Sequence, residues 1–361
     1  MSAISYKCPN CGGELIFNPN TQRYKCEYCF SDFSQEELDA ANPDAVEEEK
    51  ETVEKAAEKA AEGKSQADGE DFDAVAYTCP SCGAEIVTDG TTAATFCYYC
   101  HNPVVLKGRV TGEYRPDLVI PFRIDKKKAQ QEFLDYVHKK KFIPKAFFSK
   151  DQIEKLSGVY FPAWLFDAEM EGNLTATGSK IRVWVSGDTE YTETKEYAVE
   201  RGGTIRMDEL NKNALKKANQ KLVEGVWPYN LEEAKAFSMG YLSGFLAEKR
   251  DIEAGELEDQ VKKEFSEYGE KILMESAEGY DSLVPRSNQC IVRKLTGKYA
   301  LLPVWTVTYK GRDGKMYYYT MNGQSGNVVG ELPIDNKKVA LLFFGVMLPV
   351  LILGLIGGFF L

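Results

Sequence analysis

The sequence predicts a multidomain α+β protein built from two small metal-held hairpin modules, an acidic linker, an α+β body with antiparallel β meanders, and one C-terminal transmembrane helix. Three observations carry that prediction. Eight of the nine cysteines fall in four C-x-x-C pairs, the stretch from Ser34 to Asp73 holds fifteen Asp and Glu against four Lys, and Val339 to Leu361 carries no charge at all. The 361-residue chain is 43% apolar and 12% aromatic, enough to bury a real core, which excludes wholesale disorder. The formal charge of −11 sits in the acidic stretch, because the rest of the chain has 40 residues of each sign. The folded remainder therefore has no global basic field to argue for nucleic acid and no acidic one to argue against it.

The modules come first. Cys8/Cys11, Cys26/Cys29, Cys79/Cys82 and Cys97/Cys100 form the four pairs, and Cys290 stands alone. Met1 to Asn10 has no apolar leader segment, so these thiols are expected in a reducing compartment where they serve as ligands rather than disulfides. Shifted by 71 residues, the sequence meets itself with ten identities over 24 positions, from Tyr6/Tyr77 to Cys29/Cys100, and both copies keep fourteen residues between their pairs. A repeat that preserves ligand number and loop length together reads as two zinc ribbons, residues 1–33 and 75–106. Two thiolates from each of two tight knuckles close a tetrahedral Zn²⁺ site with no open position for substrate water, so each ion is structural.

Gly12 and Gly83, each after the second cysteine, suit the positive φ of a knuckle. Leu15-Ile16-Phe17, a turn at Asn18-Pro19-Asn20 and Gln22 to Lys25 make a hairpin, with Glu85-Ile86-Val87, Asp89-Gly90 and Ala93 to Phe96 as its twin. Some 25 residues cannot fold alone, and a structural zinc site, on the order of 10–16 kcal/mol, supplies the deficit. Thioredoxin-type redox pairs would need strand and helix contexts these short hairpins lack. Iron uses the same four sulfurs and stays open on sequence grounds. Cys97-Tyr98-Tyr99-Cys100-His101 also spells a haem-attachment motif, but Cys79 and Cys82 are better partners for its thiols.

Residues 34–74 form an acidic, Ala/Glu/Lys-rich linker, with Glu/Lys pairs four apart and almost nothing apolar to dock it; it reads as a semi-rigid tether. The body, residues 107–335, has two possible related halves. Ile120 to Ile124 reads as a strand, and Asp125 as the N-cap of a helix to about Lys139 with Phe133, Leu134 and Val137 inward. Ser149 starts a short helix. Strands follow at Val159–Phe166, Leu174–Thr177, Ile181–Val185 and Thr189–Val199, with turns at Gly178-Ser179 and Gly187-Asp188. Helices are expected at Asp208–Val223, Glu232–Glu248 and Glu256–Ser276, the second burying Phe237, Leu242, Phe245 and Leu246. A four-stranded meander closes the body: Gln289–Leu295, Tyr299–Tyr309, Lys315–Met321 and Asn327–Gly330. Pro303-Val304-Trp305 echoes Pro162-Ala163-Trp164.

Motifs for catalysis are missing from the sequence. Gly63-Lys64-Ser65 has Glu58 where a P-loop needs its first glycine. With His101 and His138 the only imidazoles, hydrolytic triads and histidine metal centres have little to draw on. His138 reads as a solvated charge at a helix end. Lys126–Lys128 and Lys139–Lys141 read as a solvated face, with a small basic patch for phosphates, membrane or RNA as the rival. Cys290 reads as a small buried residue and Tyr317-Tyr318-Tyr319 as plain packing, with base stacking as the rival.

Val339–Leu361 is long enough as a helix to cross the roughly 30 Å hydrocarbon core. Lys337-Lys338 immediately before it keep the preceding residues in the cytoplasm by the positive-inside tendency, giving a single-pass anchor in the cytoplasmic membrane. Gly354 and Gly358 form a small-x-x-x-small pair that suits a homodimer.

Tyr-x-Cys-Pro-x-Cys-Gly with a second C-x-x-C, Phe161 to Asp167, Tyr241-Leu242-Ser243-Gly244-Phe245 and Met321 to Gly330 resemble a bacterial family of membrane-anchored double zinc-ribbon proteins. Its members are labelled transcription-factor-IIB-type zinc-ribbon proteins or relatives of the replication-restart (primosomal) helicase. The resemblance covers most of the chain and implies no activity, and the chain carries no helicase motif. Three functions follow from the sequence. The first is a non-enzymatic adaptor whose two ribbons sample space on the acidic tether while a protein partner is bound at the membrane. The second is nucleic-acid binding at the membrane, disfavoured by a first ribbon with only Lys7, Arg23 and Lys25 as cations. The third is an enzyme with a site in residues 108–335, visible only as a pocket.

Overall fold

The structure is a computed structural model that describes residues 3–4, 6–41, 75–79, 85–88, 90–97, 102–106, 109–110, 114–216, 218, 220–311 and 313–359. Of the linker expected at residues 34–74, residues 42–74 lie outside the described residues, and the expectation of nothing docked is corrected at its start, where Gln35–Ala41 is a short helix with Leu38 buried. The chain divides into two units: Met1–Phe161, Lys217–Lys249 and Leu301–Leu361 make the first, and Pro162–Lys216 with Arg250–Ala300 make the second.

The described strands are β1 (Ala3–Ile4), β2 (Leu15–Asn18), β3 (Arg23–Cys26), β4 (Asp32–Phe33), β5 (Val75–Thr78), β6 (Glu85–Thr88), β7 (Thr92–Phe96), β8 (Pro103–Leu106), β9 (Leu118–Val119), β10 (Ser157–Ser186), β11 (Thr189–Asn213), β12 (Lys235–Ala236), β13 (Leu246–Glu248), β14 (Ser282–Lys310), β15 (Met316–Asn322) and β16 (Val328–Glu331). The described helices are α1 (Gln35–Ala41), α2 (Lys126–His138), α3 (Lys150–Glu154), α4 (Gln220–Gly225), α5 (Ala254–Glu275) and α6 (Asn336–Phe359). The architecture is α+β and rich in antiparallel pairing. The main sheet follows β1-β8-β7-β13-β10-β14-β15-β16, with β11 on β10 and β9 bridging β12 and β14. The β10/β13 pair is parallel.

In the first unit the core gathers on Phe122, fully buried and in ring contact with Phe245 at 4.2 Å, Tyr160 at 5.0 Å and Trp305 at 5.2 Å. Burying one such side chain contributes about 1.5–3 kcal/mol. Trp305 Nε1 donates to the Ile124 carbonyl at 2.9 Å, so the indole spends no unpaired donor in the core. Helix α2 starts where the sequence places it: the Asp125 carboxylate accepts from Lys128 N at 2.8 Å, and Ala129, Phe133 and Val137 are buried. The buried Asn322 side chain donates to the Val226 and Pro228 carbonyls, fixing the segment after α4.

In the second unit β10 and β11 form a hairpin whose register runs unbroken from Ala168/Met207 to Ser186/Thr189. Helix α5 packs on it through Leu273, with Leu174, Ala176, Val199 and Ala277 in the same cluster. A Cβ on Gly269 of that helix would collide with Cys290 Sγ, so glycine there lets helix and sheet approach. Cys290 is buried, as its sequence context predicts. Arg250 is sandwiched between Trp164 at 5.3 Å and Tyr299 at 5.0 Å.

Several sequence expectations are corrected here. The separate strands at 159–166, 174–177 and 181–185 are one strand, β10, because Gly178 is no turn: a Cβ there would sit 2.6 Å from the Tyr280 ring, which lies against the bare backbone. Gly297 likewise lies inside β14, where Phe166 packs on it, so the closing meander is the three-stranded β14-β15-β16. The expected helix at 208–223 is strand to Asn213, with only Gln220–Gly225 helical, since β10 offers a full ladder of partners to β11. The expected helix at 232–248 is replaced by two 3-10 turns, Leu231–Glu233 and Met239–Leu242, followed by β13. Gly244 at φ +91° stops helical continuation; Phe237, Leu242 and Phe245 are buried as expected, whereas Leu246 is only half-buried.

Helix α6 includes a stretch, Asn336–Leu355, of mean hydropathy 2.4 that is long and apolar enough to cross a membrane, and none of it is buried in the protein. Its start is tied down: Asp335 N donates to the Phe142 carbonyl at 2.7 Å and Lys338 Nζ to the Ile143 carbonyl at 2.6 Å.

Candidate metal centre

Strands β2 and β3 pair antiparallel, Leu15 opposite Cys26 through Asn18 opposite Arg23, and β4 adds a third strand. The two knuckles hang on this ladder. In the first, Cys8 N donates to the Gly13 carbonyl at 2.6 Å and Gly12 N to the Cys8 carbonyl at 2.9 Å, with Gly12 at φ +72°. In the second, Cys26 N donates to the Ser31 carbonyl at 2.9 Å and Phe30 N to the Cys26 carbonyl at 3.0 Å, with Phe30 at φ +59°. Sequence reasoning found Gly12 but missed Phe30, because nothing in an aromatic residue signals the left-handed region.

The Sγ atoms of Cys8, Cys11, Cys26 and Cys29 all lie within 4.8 Å of one another. Cys8 and Cys29 sulfurs are 3.5 Å apart and those of Cys11 and Cys26 3.6 Å. A tetrahedral ion at about 2.3 Å from each sulfur needs sulfurs roughly 3.8 Å apart, so the donor set fits a metal ion. Cys8 and Cys26 are buried, whereas Cys11 and Cys29 face solvent. Hydrogen bonds from the Ser31 hydroxyl and backbone pull Cys29 down to about 6. For Cys11, the Gly13 backbone contact lowers the thiol, but desolvation and the neighbouring thiols outweigh it and push it up to about 12. Four thiolates repel one another at this spacing, and a dication is the group that lets them ionise together.

The hairpin is packed onto the rest of the first unit. Ser243 Oγ donates to the Leu15 carbonyl at 2.5 Å, and Phe17 N returns a bond to the Ser243 carbonyl at 3.2 Å. The Phe17 ring meets Tyr241 at 5.2 Å, and Gln22 Nε2 reaches the Phe122 carbonyl at 2.8 Å. Gly240 and Gly244 make room: a Cβ on the first would lie 2.7 Å from the Tyr24 hydroxyl and on the second 2.5 Å from Ile16. The expectation that this ribbon samples space freely is therefore corrected; the buried hairpin face has its complement in residues 238–245. What stays outside is the second knuckle, with Tyr28 71% and Phe30 70% exposed and the Lys25 ammonium 5.9 Å from the Phe30 ring centre.

In the second repeat, Cys79 and Cys97 are buried, while Cys82 and Cys100 lie outside the described residues. The repeat extends to the backbone. Cys97 N donates to the Asn102 carbonyl as Cys26 N does to Ser31, and Thr95 faces Val104 as Tyr24 faces Phe33. Its expected hairpin is rearranged: β6 pairs with β5, and β7 pairs with β8 and β13 within the main sheet. Ala93 and Ala94 are buried in this arrangement.

The other sequence candidates lie elsewhere. Lys126–Lys128 and Lys139–Lys141 are exposed at opposite ends of α2, so a 13-residue helix of about 20 Å separates them. His138 stands exposed beside the Phe148 ring, and Tyr319 is buried against Phe133 at 4.8 Å, as packing predicts.

Taken together, these features define an α+β protein with a four-cysteine hairpin centre and, among the described residues, one helix of membrane-spanning length. The chain belongs to the family of the uncharacterized protein YdjG of Bacillus subtilis (strain 168), to which it is 32% identical over 343 residues, 95% of this chain and 94% of that one. No protein-family model matches the chain. No solved structure matches it either.

Proposed function

We propose that the protein is a non-enzymatic, membrane-tethered zinc-ribbon adaptor that binds a protein partner at the cytoplasmic face of the membrane. The observation that carries this reading is the second knuckle of the first ribbon: two large aromatic side chains, Tyr28 and Phe30, stand in solvent on a hairpin whose opposite side is locked in place. Rigid aromatic anchors lose little freedom on binding, and such residues dominate interface energies. Tyr28 lies close over the backbone of Gly13, where a Cβ would come within 2.7 Å of its ring.

Zinc is the proposed ion, one on Cys8, Cys11, Cys26 and Cys29 and a second on Cys79, Cys82, Cys97 and Cys100. Four thiolates saturate its tetrahedral shell, so the ion holds the knuckles and offers no position for a reacting water. The chain's own residues then do the recognition. Lys337 and Lys338 at the start of α6 support a cytoplasmic body.

The test is affinity purification of the full chain from detergent extracts, with Tyr28→Ala/Phe30→Ala alongside. Protein partners lost from the variant, with two zinc atoms per chain retained in both, are the expected result. Partners retained by the variant would move recognition to the α+β body, and nucleic acid recovered in place of protein would replace the reading.

A further inference from the structure

Among the described residues β11 pairs with β10 alone, so this 25-residue strand presents one long unpaired edge in the second unit. From Thr189 to Arg206 that edge has no proline, and its ladder with β10 shows no bulge over this span. Proline and bulges are two of the devices by which proteins blunt an edge; charge is a third, and this edge carries Glu190, Glu193, Lys195, Glu196, Glu200, Arg201 and Arg206, so it accepts only a strand whose charges oppose its own. Nearly every residue along it is exposed, Val199 being buried under α5.

We propose that this edge pairs with the same edge of a second copy of the chain, antiparallel, about a two-fold axis at Tyr197. The charges select that register. Centred on Tyr197, Glu193 faces Arg201 of the second copy, and the symmetry makes the pair twice. Tyr191 faces Gly203 of the second copy, where a Cβ would meet no atom within 4 Å, so the ring has a bare backbone to cover. No like charges stand directly opposite.

Neighbouring registers fail this criterion. A centre at Lys195 opposes Glu190 to Glu200, one at Glu196 opposes that residue to itself, and one at Ala198 opposes both Glu196 to Glu200 and Lys195 to Arg201. Arg201 is held at the edge by its own bonds, Nε to the Ser276 carbonyl and Nη1 to the Glu200 carbonyl. The union gives a sheet continued through both copies, with both α5 helices on one face, and it places the interface on the hairpin rather than on α6.

The full chain in detergent micelles tests this by light scattering and by cysteine cross-linking. Under mild oxidation Tyr197→Cys is expected to form a disulfide-linked dimer at least about tenfold faster than Thr194→Cys, because only the former meets its own copy within disulfide reach. Arg201→Glu should lower the dimer fraction, and Glu193→Arg combined with Arg201→Glu should restore it. The proposal is overturned if the intact chain is monomeric at every concentration, if positions 194 and 197 cross-link alike, or if the charge swap fails to rescue. A dimer held by α6 alone would show the second and third of these outcomes.

Discussion

Replacing Gly244 by alanine should pry the first ribbon from its seat. Two penalties act together at this position. Its φ of +91° is strained for any residue with a Cβ, at about 1–2 kcal/mol, and the new methyl would lie 2.5 Å from Ile16 Cγ2 with the hairpin behind it, an overpacking cost of about 1–3 kcal/mol. The sum, about 2–5 kcal/mol, falls on the contact that includes the Ser243 bonds to Leu15 and Phe17. At about 2–4 °C per kcal/mol for a folded unit of this size, the midpoint of thermal unfolding should drop by roughly 4–20 °C. Amide hydrogen exchange across residues 15–18 should rise in parallel. Shortening the obstacle with Ile16→Ala in the same chain should recover part of the loss, the part due to overpacking. An unchanged unfolding midpoint with unchanged exchange in 15–18 would refute the idea that the ribbon is welded to residues 238–245.

Two further outcomes follow from single contacts. Asp125→Ala removes the cap of α2 and should cost about 0.5–2 kcal/mol near neutral pH by chemical denaturation; because the Lys128 amide holds the Asp125 carboxyl below its ordinary value of 3.8, that stabilisation is complete above pH 4 and fades as pH falls through the depressed value, so parent and variant should converge in acid. Gly269→Ala drives a methyl into Cys290 Sγ and should destabilise the second unit by about 1–3 kcal/mol, with Cys290→Ala in the same chain relieving most of it.

The parts legible in the sequence are those where one local signal decides. Cysteine spacing and the Asn18-Pro19-Asn20 turn placed the first four-sulfur hairpin, an N-cap aspartate placed the start of α2, and unbroken apolarity placed α6. The failures are non-local. Gly178 and Gly297 look like turns until the Tyr280 and Phe166 rings that rest on them are in view. Residues 208–213 and 246–248 have helical composition but become strand because β10 and β7 present partners to them. The seat of the ribbon escaped notice for the same reason: Ser243 and Gly244 stand in a segment that carries the family resemblance, but what they and Gly240 do depends on residues more than two hundred positions earlier.

The tie between α6 and residues 142–143 has a consequence for reach. Only residues 332–335 lie between β16 and α6, about 14 Å of chain even fully extended, and the Asp335 and Lys338 bonds remove what slack remains. If α6 enters a bilayer, the first unit is mounted on its surface as on a short post and not flown from it on a leash. Ligands arriving from the surrounding fluid would meet it in a layer one molecule deep, and those already confined to the lipid plane would have the shorter search.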